Sequence, residues 1–253
     1  MLKLIKIELF KLFAGKKIFY VFGGFVCVIS LLILYLRMVA PESSFGNVFK
    51  TSSDTFSIFA LIVGVIVALV PFYQEIQQKT IKSLLVTPVK RVEILFSKLL
   101  ASIFTSFLIL VVLSLTSFIA TTLLFGFFKV GAYSSSADNM LTFTAGFIQI
   151  ITTFFTTIFY STTIICLFLI TNSLSSTLVG VVLLRGLGEL ISRSLLDQNN
   201  LLLSFSPLGV LNILNPVVRK ISIISYTIQL LLTVIYSIVI FYIDTKLFEN
   251  KEF

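Results

Sequence analysis

Residues 73–98 read YQEIQQKTIKSLLVTPVKRVEILFSK, and on either side of them lies a long apolar run. Upstream is FSIFALIVGVIVALVPF, residues 56–72, and downstream LLASIFTSFLILVVLSLTSFIATTLLFGFF, residues 99–128. A helix needs about 20 apolar residues to cross about 30 Å of hydrocarbon, so these runs predict two membrane spans joined by a charged connection. Lys79, Lys82, Lys90, Arg91 and Lys98 crowd that connection, and short loops rich in Lys and Arg stay on the cytoplasmic side. Thr87-Pro88 breaks it, because proline lacks a backbone N–H and turns the residue before it away from helix. Two amphipathic pieces meeting at Pro88 are expected there.

Composition extends this reading to the whole chain. Of 253 residues, 57% are hydrophobic and 12% charged, whereas ordinary globular domains carry about 25% charged residues. A soluble fold of this size lacks the ionic side chains to cover its surface. Further spans are predicted at 18–36, 143–170, 177–190 and 221–243, six in all. No long polar stretch separates them, so the chain reads as one all-α polytopic membrane domain, 1–253.

The remaining segments follow from pattern. Residues 2–15 read as an amphipathic helix on the membrane surface, with Leu2, Ile5, Leu9, Leu12 and Phe13 on one side and Lys3, Glu8 and Lys11 turned elsewhere. The polar stretch with Glu42, Asn47, Lys50 and Asp54 reads as a connection between spans. Thr144, Thr152, Thr153, Thr156, Thr157, Thr162 and Thr163 punctuate the fourth span; threonine hydroxyls bond back to their own helix, which accounts for most of them without a substrate. Asn172 to Ser176 leaves room only for a tight helical hairpin. Arg185 and Glu189 follow at four-residue spacing, which permits an ion pair at the membrane edge. Residues 191–220 are too apolar for a solvent loop and are broken by Pro207, Gly209 and Pro216, so short external re-entrant helices are expected. Counting that segment as a seventh span would put Lys246 and Lys251 outside, against the charge rule.

With six spans both termini face the cytoplasm, and 12 of the 19 basic residues fall on that side. The net charge of +8 then reflects topology, and nucleic acid is not an expected partner. Cys27 and Cys166 both lie inside apolar runs and read as packing residues. The chain contains no histidine, which removes histidine-based metal motifs and triads. Gly15-Lys16 lacks the upstream glycine and the Ser or Thr of a phosphate-binding loop. No catalytic residue, cofactor site or metal site is expected in this chain.

The loop pattern Glu75, Lys79-Thr80, Leu84-Leu85, Pro88-Val89, Arg91 and Lys98, with Glu8-Leu9 and Lys11-Leu12 in the first helix, resembles the permease subunits of ABC-2 type exporters. It is most similar to the six-span group associated with lantibiotic and bacitracin resistance. The resemblance implies a permease subunit paired with a second permease, identical or paralogous, and with cytoplasmic ATP-binding subunits that hold the ATP and Mg. It implies an amphiphilic substrate, a peptide antibiotic handled in resistance or bacteriocin immunity, and a location in the bacterial cytoplasmic membrane among lipid. Residues 2–15 are similar to the elbow helix, with Glu8 and Lys11. Residues 73–98 match the coupling loop: Glu75 at its polar start, Lys79 and Thr80 after it, Pro88 at the bend, and Arg91 as contact or anchoring charge. Ile81 follows Lys79-Thr80, and no glycine occurs from Glu75 to Arg91, so the local turn departs from the family pattern. An adaptor, assembly or sensor protein recruiting a cytoplasmic partner through the same loop is the alternative. A secondary transporter finds little support, since membrane acids are sparse and no matching interrupted half-repeats are visible.

Overall fold

The computed structural model describes residues 2–14, 17–77, 91–127, 136–196 and 223–250. Among the described residues every long element is a helix: α1 (Leu2–Ala14), α2 (Lys17–Val39), α3 (Phe45–Gln77), α4 (Arg91–Phe125), α5 (Ser136–Thr171), α6 (Leu174–Leu196) and α7 (Ile223–Glu249). Helices α2, α3, α4, α5 and α7 are long and apolar enough to cross a membrane. The chain is therefore an all-α, multi-pass membrane protein. The span expected at 177–190 falls on α6, whose apolar part, Leu174–Gly186, is shorter; among the described residues five helices, not six, meet the length a crossing needs. Residues 78–90 of the expected coupling loop and most of the expected re-entrant region, 197–220, lie outside the described residues.

Several helices start or end well beyond the expected spans, and the cause is local chemistry. Helix α3 begins at Phe45, not near 56. Ser44 precedes it, and its hydroxyl accepts a hydrogen bond from the Asn47 N–H at 3.4 Å, as an N-cap does. The polar stretch that follows satisfies itself within the helix: Thr51, Ser52, Thr55 and Ser57 donate to the carbonyls of Asn47, Phe49, Thr51 and Asp54 at 2.7–2.9 Å. Polarity there marks no loop. Helix α5 likewise begins at Ser136, and α6 runs on to Leu196. The expected hairpin is present and tighter than its sequence limits. Asn172 takes a left-handed φ of 57°, which asparagine tolerates at a helix C-terminus, and Ser173 Oγ accepts from the Ser176 N–H at 3.3 Å.

Helices α3 and α5 form the most extensive interface, and glycine sets their approach. A Cβ on Gly146 would stand 2.7 Å from Phe49 Cδ1, and at the neighbouring α3–α4 contact one on Gly64 would stand 2.7 Å from Ser106 Oγ. Small residues substitute for hydrophobic drive where lipid is as apolar as leucine. Phe45, Phe49, Phe143 and Phe147 interlock near the start of both helices, with centroids of 5.0–5.5 Å between Phe143 and the other three. A second core joins α3, α4, α5 and α7 around Phe72, Leu95, Tyr160, Phe168 and Phe248. That core underlies the charged end of the bundle.

Candidate functional site

Four charged side chains converge at the end of α3 that leads into residues 78–90. Glu8 and Lys11 come from α1, Glu75 from the last turn of α3, and Lys98 from the second turn of α4. The Lys11 ammonium lies 2.9 Å from Glu75 Oε1 and 3.1 Å from Glu8 Oε1. The Lys98 ammonium lies 2.5 Å from Glu75 Oε2 and 3.4 Å from Glu8 Oε2. Each carboxylate therefore touches both ammoniums, and each ammonium both carboxylates. Charge is balanced within the knot.

Burial separates the two cations. The Lys98 side chain is 4% exposed and lies 5.9 Å from the centre of the Phe72 ring, while that of Lys11 is 46% exposed. Burial pulls the Lys11 ammonium down, but the hydrogen bond to Glu75 and the charges of Glu8 and Glu75 outweigh it and hold it above its ordinary value. In α1 the residues of the expected apolar side, Ile5, Leu9, Leu12 and Phe13, are half-buried. Glu8 is buried against the bundle, while Ile7 and Phe10 are exposed. The reason is pairing: Glu8 gains two ammoniums on the protein side, and apolar side chains lose nothing where lipid would cover them.

Arg91, the first residue of α4, reaches to α7. Its guanidinium donates to the Glu249 carbonyl at 2.7 Å and the Phe248 carbonyl at 3.3 Å. The last carbonyls of a helix lack intrahelical donors and carry partial negative charge, so a cation there satisfies both. Arg91 thus caps the last carbonyls of α7. Lys79, Thr80 and Pro88 lie outside the described residues.

Arg185 is on α6, where it lines a cleft shared with α3 and α5. The side chain of Glu189 is outside the described residues, and so is the ion pair expected between the two. On α5 the threonines behave as their chemistry suggests: Thr152, Thr153, Thr156, Thr157, Thr162 and Thr163 all donate to carbonyls of their own helix. Three of them, Thr152, Thr153 and Thr156, also line the cleft.

Lys98 is the residue whose importance sequence reasoning understated, since it stood there only as a topological charge and a member of the loop pattern. Its place at the start of a long apolar run was the available signal. Asp244, expected to flank the last span, is fully buried on α7; the helix continues past it to Glu249.

The knot joins two helix ends across an undescribed connection and ties both to α1. It holds no nucleophile–base pair, and its chemistry is that of a mechanical fastening. A family model described as ABC-2 family transporter protein matches residues 4–187, which include all four knot residues, Arg91 and Arg185. No curated protein and no solved structure matches.

Proposed function

The chain belongs to the ABC-2 family of transporter proteins, and from that premise we propose that it is the membrane-spanning permease subunit of an ATP-driven exporter. ATP and Mg reside on a separate cytoplasmic ATP-binding subunit, and a second permease copy, identical or paralogous, completes the membrane part. Its cargo is an amphiphilic peptide antibiotic, exported or cleared from the bacterial cytoplasmic membrane in resistance or immunity. Both termini and residues 73–98 face the cytoplasm. The ATP-binding subunit docks on that loop through Lys79, Thr80 and Pro88, with Glu75 and Arg91 fastening its two ends. Helix α1 acts as the elbow helix, α6 makes a sixth, short crossing, and residues 191–220 are re-entrant.

One observation carries the reading: Glu75 and Lys98, at the two ends of the loop, are paired with each other and with α1 in a buried knot. A loop that merely held topology would need no such fastening. A partner pressing on residues 78–90 would move α1, α3 and α4 together, which is how a small contact becomes a rigid-body motion.

The test is purification from the native host in mild detergent, with quantification of what accompanies the chain. A stoichiometric ATP-binding subunit, whose ATP turnover rises with the peptide and falls in Glu75→Gln, supports the permease. Recovery of the intact chain without any ATPase, under conditions that preserve a known complex of this type, overturns it in favour of an adaptor or sensor.

A further inference from the structure

Away from the knot, α3, α5 and α6 enclose a cleft of about 300 Å³, the lower end of the usual range for ligand sites. Its walls are apolar: Ile62 and Ile66 on α3 and Val182 on α6 line it and are 47%, 42% and 70% exposed. It therefore opens sideways, toward where lipid would lie. Its floor is polar and comes from α5. Thr152, Thr153 and Thr156 donate their protons to the carbonyls of Ile148, Gln149 and Thr153 at 2.7–3.0 Å. Thr152 is further bonded to the Tyr226 hydroxyl at 2.8 Å, so Thr153 and Thr156 are the ones with acceptor lone pairs left to offer.

Arg185 completes the lining, and its depth is informative. The α5–α6 hairpin brings Gly180 against Leu167, where a Cβ would stand 3.3 Å from Leu167 Cδ1. Beyond that contact Arg185 reaches the polar floor, since it lines the cleft together with Gln149, Thr152, Thr153 and Thr156 of α5. It also falls within the apolar segment Leu174–Gly186. Ionisable residues at such depth face a cavity or the bundle interior and mark functional sites. Apolar walls, acceptors that suit amide N–H groups and one guanidinium together describe an acyl or apolar body, a peptide link and an acid.

We propose that this cleft is the binding site for the exported amphiphile, and that it selects acylated peptides bearing a carboxylate, which Arg185 receives. The proposal rests on the chain being a permease and goes beyond that reading in naming the chemistry of the cargo. A guanidinium meets a carboxylate through paired N–H donors, and in a water-poor cleft that contact separates an acid from a neutral analogue by about tenfold or more.

The experiment uses the full chain in phosphatidylcholine nanodiscs with a photoreactive N-palmitoylglycine, and the matching neutral N-palmitoylethanolamine as comparison. Cross-linked peptides are located by mass spectrometry. Expected is labelling on the α3 and α6 segments around Ile62 and Val182, with the acid about tenfold ahead. That advantage disappears in Arg185→Gln and survives in Arg185→Lys, while Val182→Trp, which fills the cleft, suppresses both probes. Equal labelling by the two probes in the unmodified chain, labelling outside the cleft, or an advantage that survives Arg185→Gln would overturn the proposal. Nanodiscs with excess phosphatidylglycerol form a further arm. Retained labelling supports a cargo site, and its loss assigns the cleft to a bilayer lipid and overturns the proposal. No ATP-binding subunit is needed, so failure here is separate from failure of the permease reading.

Discussion

Replacing Lys98 by glutamine tests the knot most directly. The substitution removes the one cation buried between Glu8 and Glu75, with its side chain 4% exposed, and leaves both carboxylates to share Lys11. Breaking one partner out of a buried ionic group costs roughly 3–5 kcal/mol, because the remaining charge stays desolvated. For a chain of this size a loss of 1 kcal/mol lowers Tm by about 2–4 °C, so Lys98→Gln is expected to fall by roughly 6–20 °C in detergent. Lys11→Gln makes the same chemical change in the same knot, but its side chain is 46% exposed. Solvent screening reduces that pair to less than about 1 kcal/mol, a shift under about 4 °C. Thermal unfolding of both variants, with Glu75→Gln and the Glu75→Gln/Lys98→Gln double variant, completes the measurement. The double variant is expected to cost less than the sum of its parts by about 2 kcal/mol, since removing both groups strands neither. Equal losses for Lys11 and Lys98, or strict additivity in the cycle, would refute the burial argument.

Arg91→Gln removes the cation from the α7 C-terminus; a loss of about 1 kcal/mol is expected, with faster amide exchange confined to the last turn of α7, and charge reversal at Arg91 is expected to uncouple transport at normal membrane abundance. Gly146→Ala puts a methyl 2.7 Å from Phe49 Cδ1, and overpacking of this kind costs about 1–3 kcal/mol, readable as a lowered Tm; an unchanged Tm would mean the α3–α5 contact is looser than described. The raised Lys11 ammonium gives a signed pH dependence: its contribution to holding α1 is complete below the ordinary value of 10.5 and is lost as pH rises through the higher folded value. Cysteine accessibility along α1 is therefore expected to stay constant across neutral pH and to rise only in alkali, and Lys11→Gln should abolish that alkaline step.

The parts of this fold that were legible from sequence are those governed by period and length. Apolar runs located all five long helices, and Asn172-Ser173 located the hairpin, because each signal is local. The start of α3 was misplaced because Thr51, Ser52 and Thr55 look like loop residues on a linear reading. Their hydroxyls instead bond one turn back, a pairing that polarity alone does not reveal. The knot was legible in its membership more than in its geometry. Glu8 and Lys11 were placed on the polar side of the first helix and Glu75 at the start of the loop, yet pairing across 64 positions from Lys11 to Glu75 depends on how α1 returns to the bundle. The capping of α7 by Arg91 joins positions 157 and 158 apart, and no spacing rule connects them. Arg185 was singled out for an ion pair with Glu189, whereas the cleft it lines exists only once three helices are assembled.

Helix α3 links the two features. Glu75 fastens its end to the knot, and Ile62 and Ile66 face the cleft from its middle. Pro71 lies between them, inside the helix. Proline supplies no N–H to the carbonyl four residues earlier, so the backbone from Phe72 to Gln77 is tied to the rest of α3 by one bond fewer. Packing and charge hold that segment instead: the Phe72 ring is 5.5 Å from Phe168 and 5.8 Å from Phe248, and Glu75 is paired with Lys11 and Lys98. The direction in which α3 leaves the bundle is therefore set by groups on α1, α4, α5 and α7, and not by the helix's own ladder alone. On the permease reading this is a useful arrangement. A partner that displaces the knot acts on the segment beyond Pro71 first, and the cleft residues five to nine positions before the proline feel that displacement through the one helix both features share.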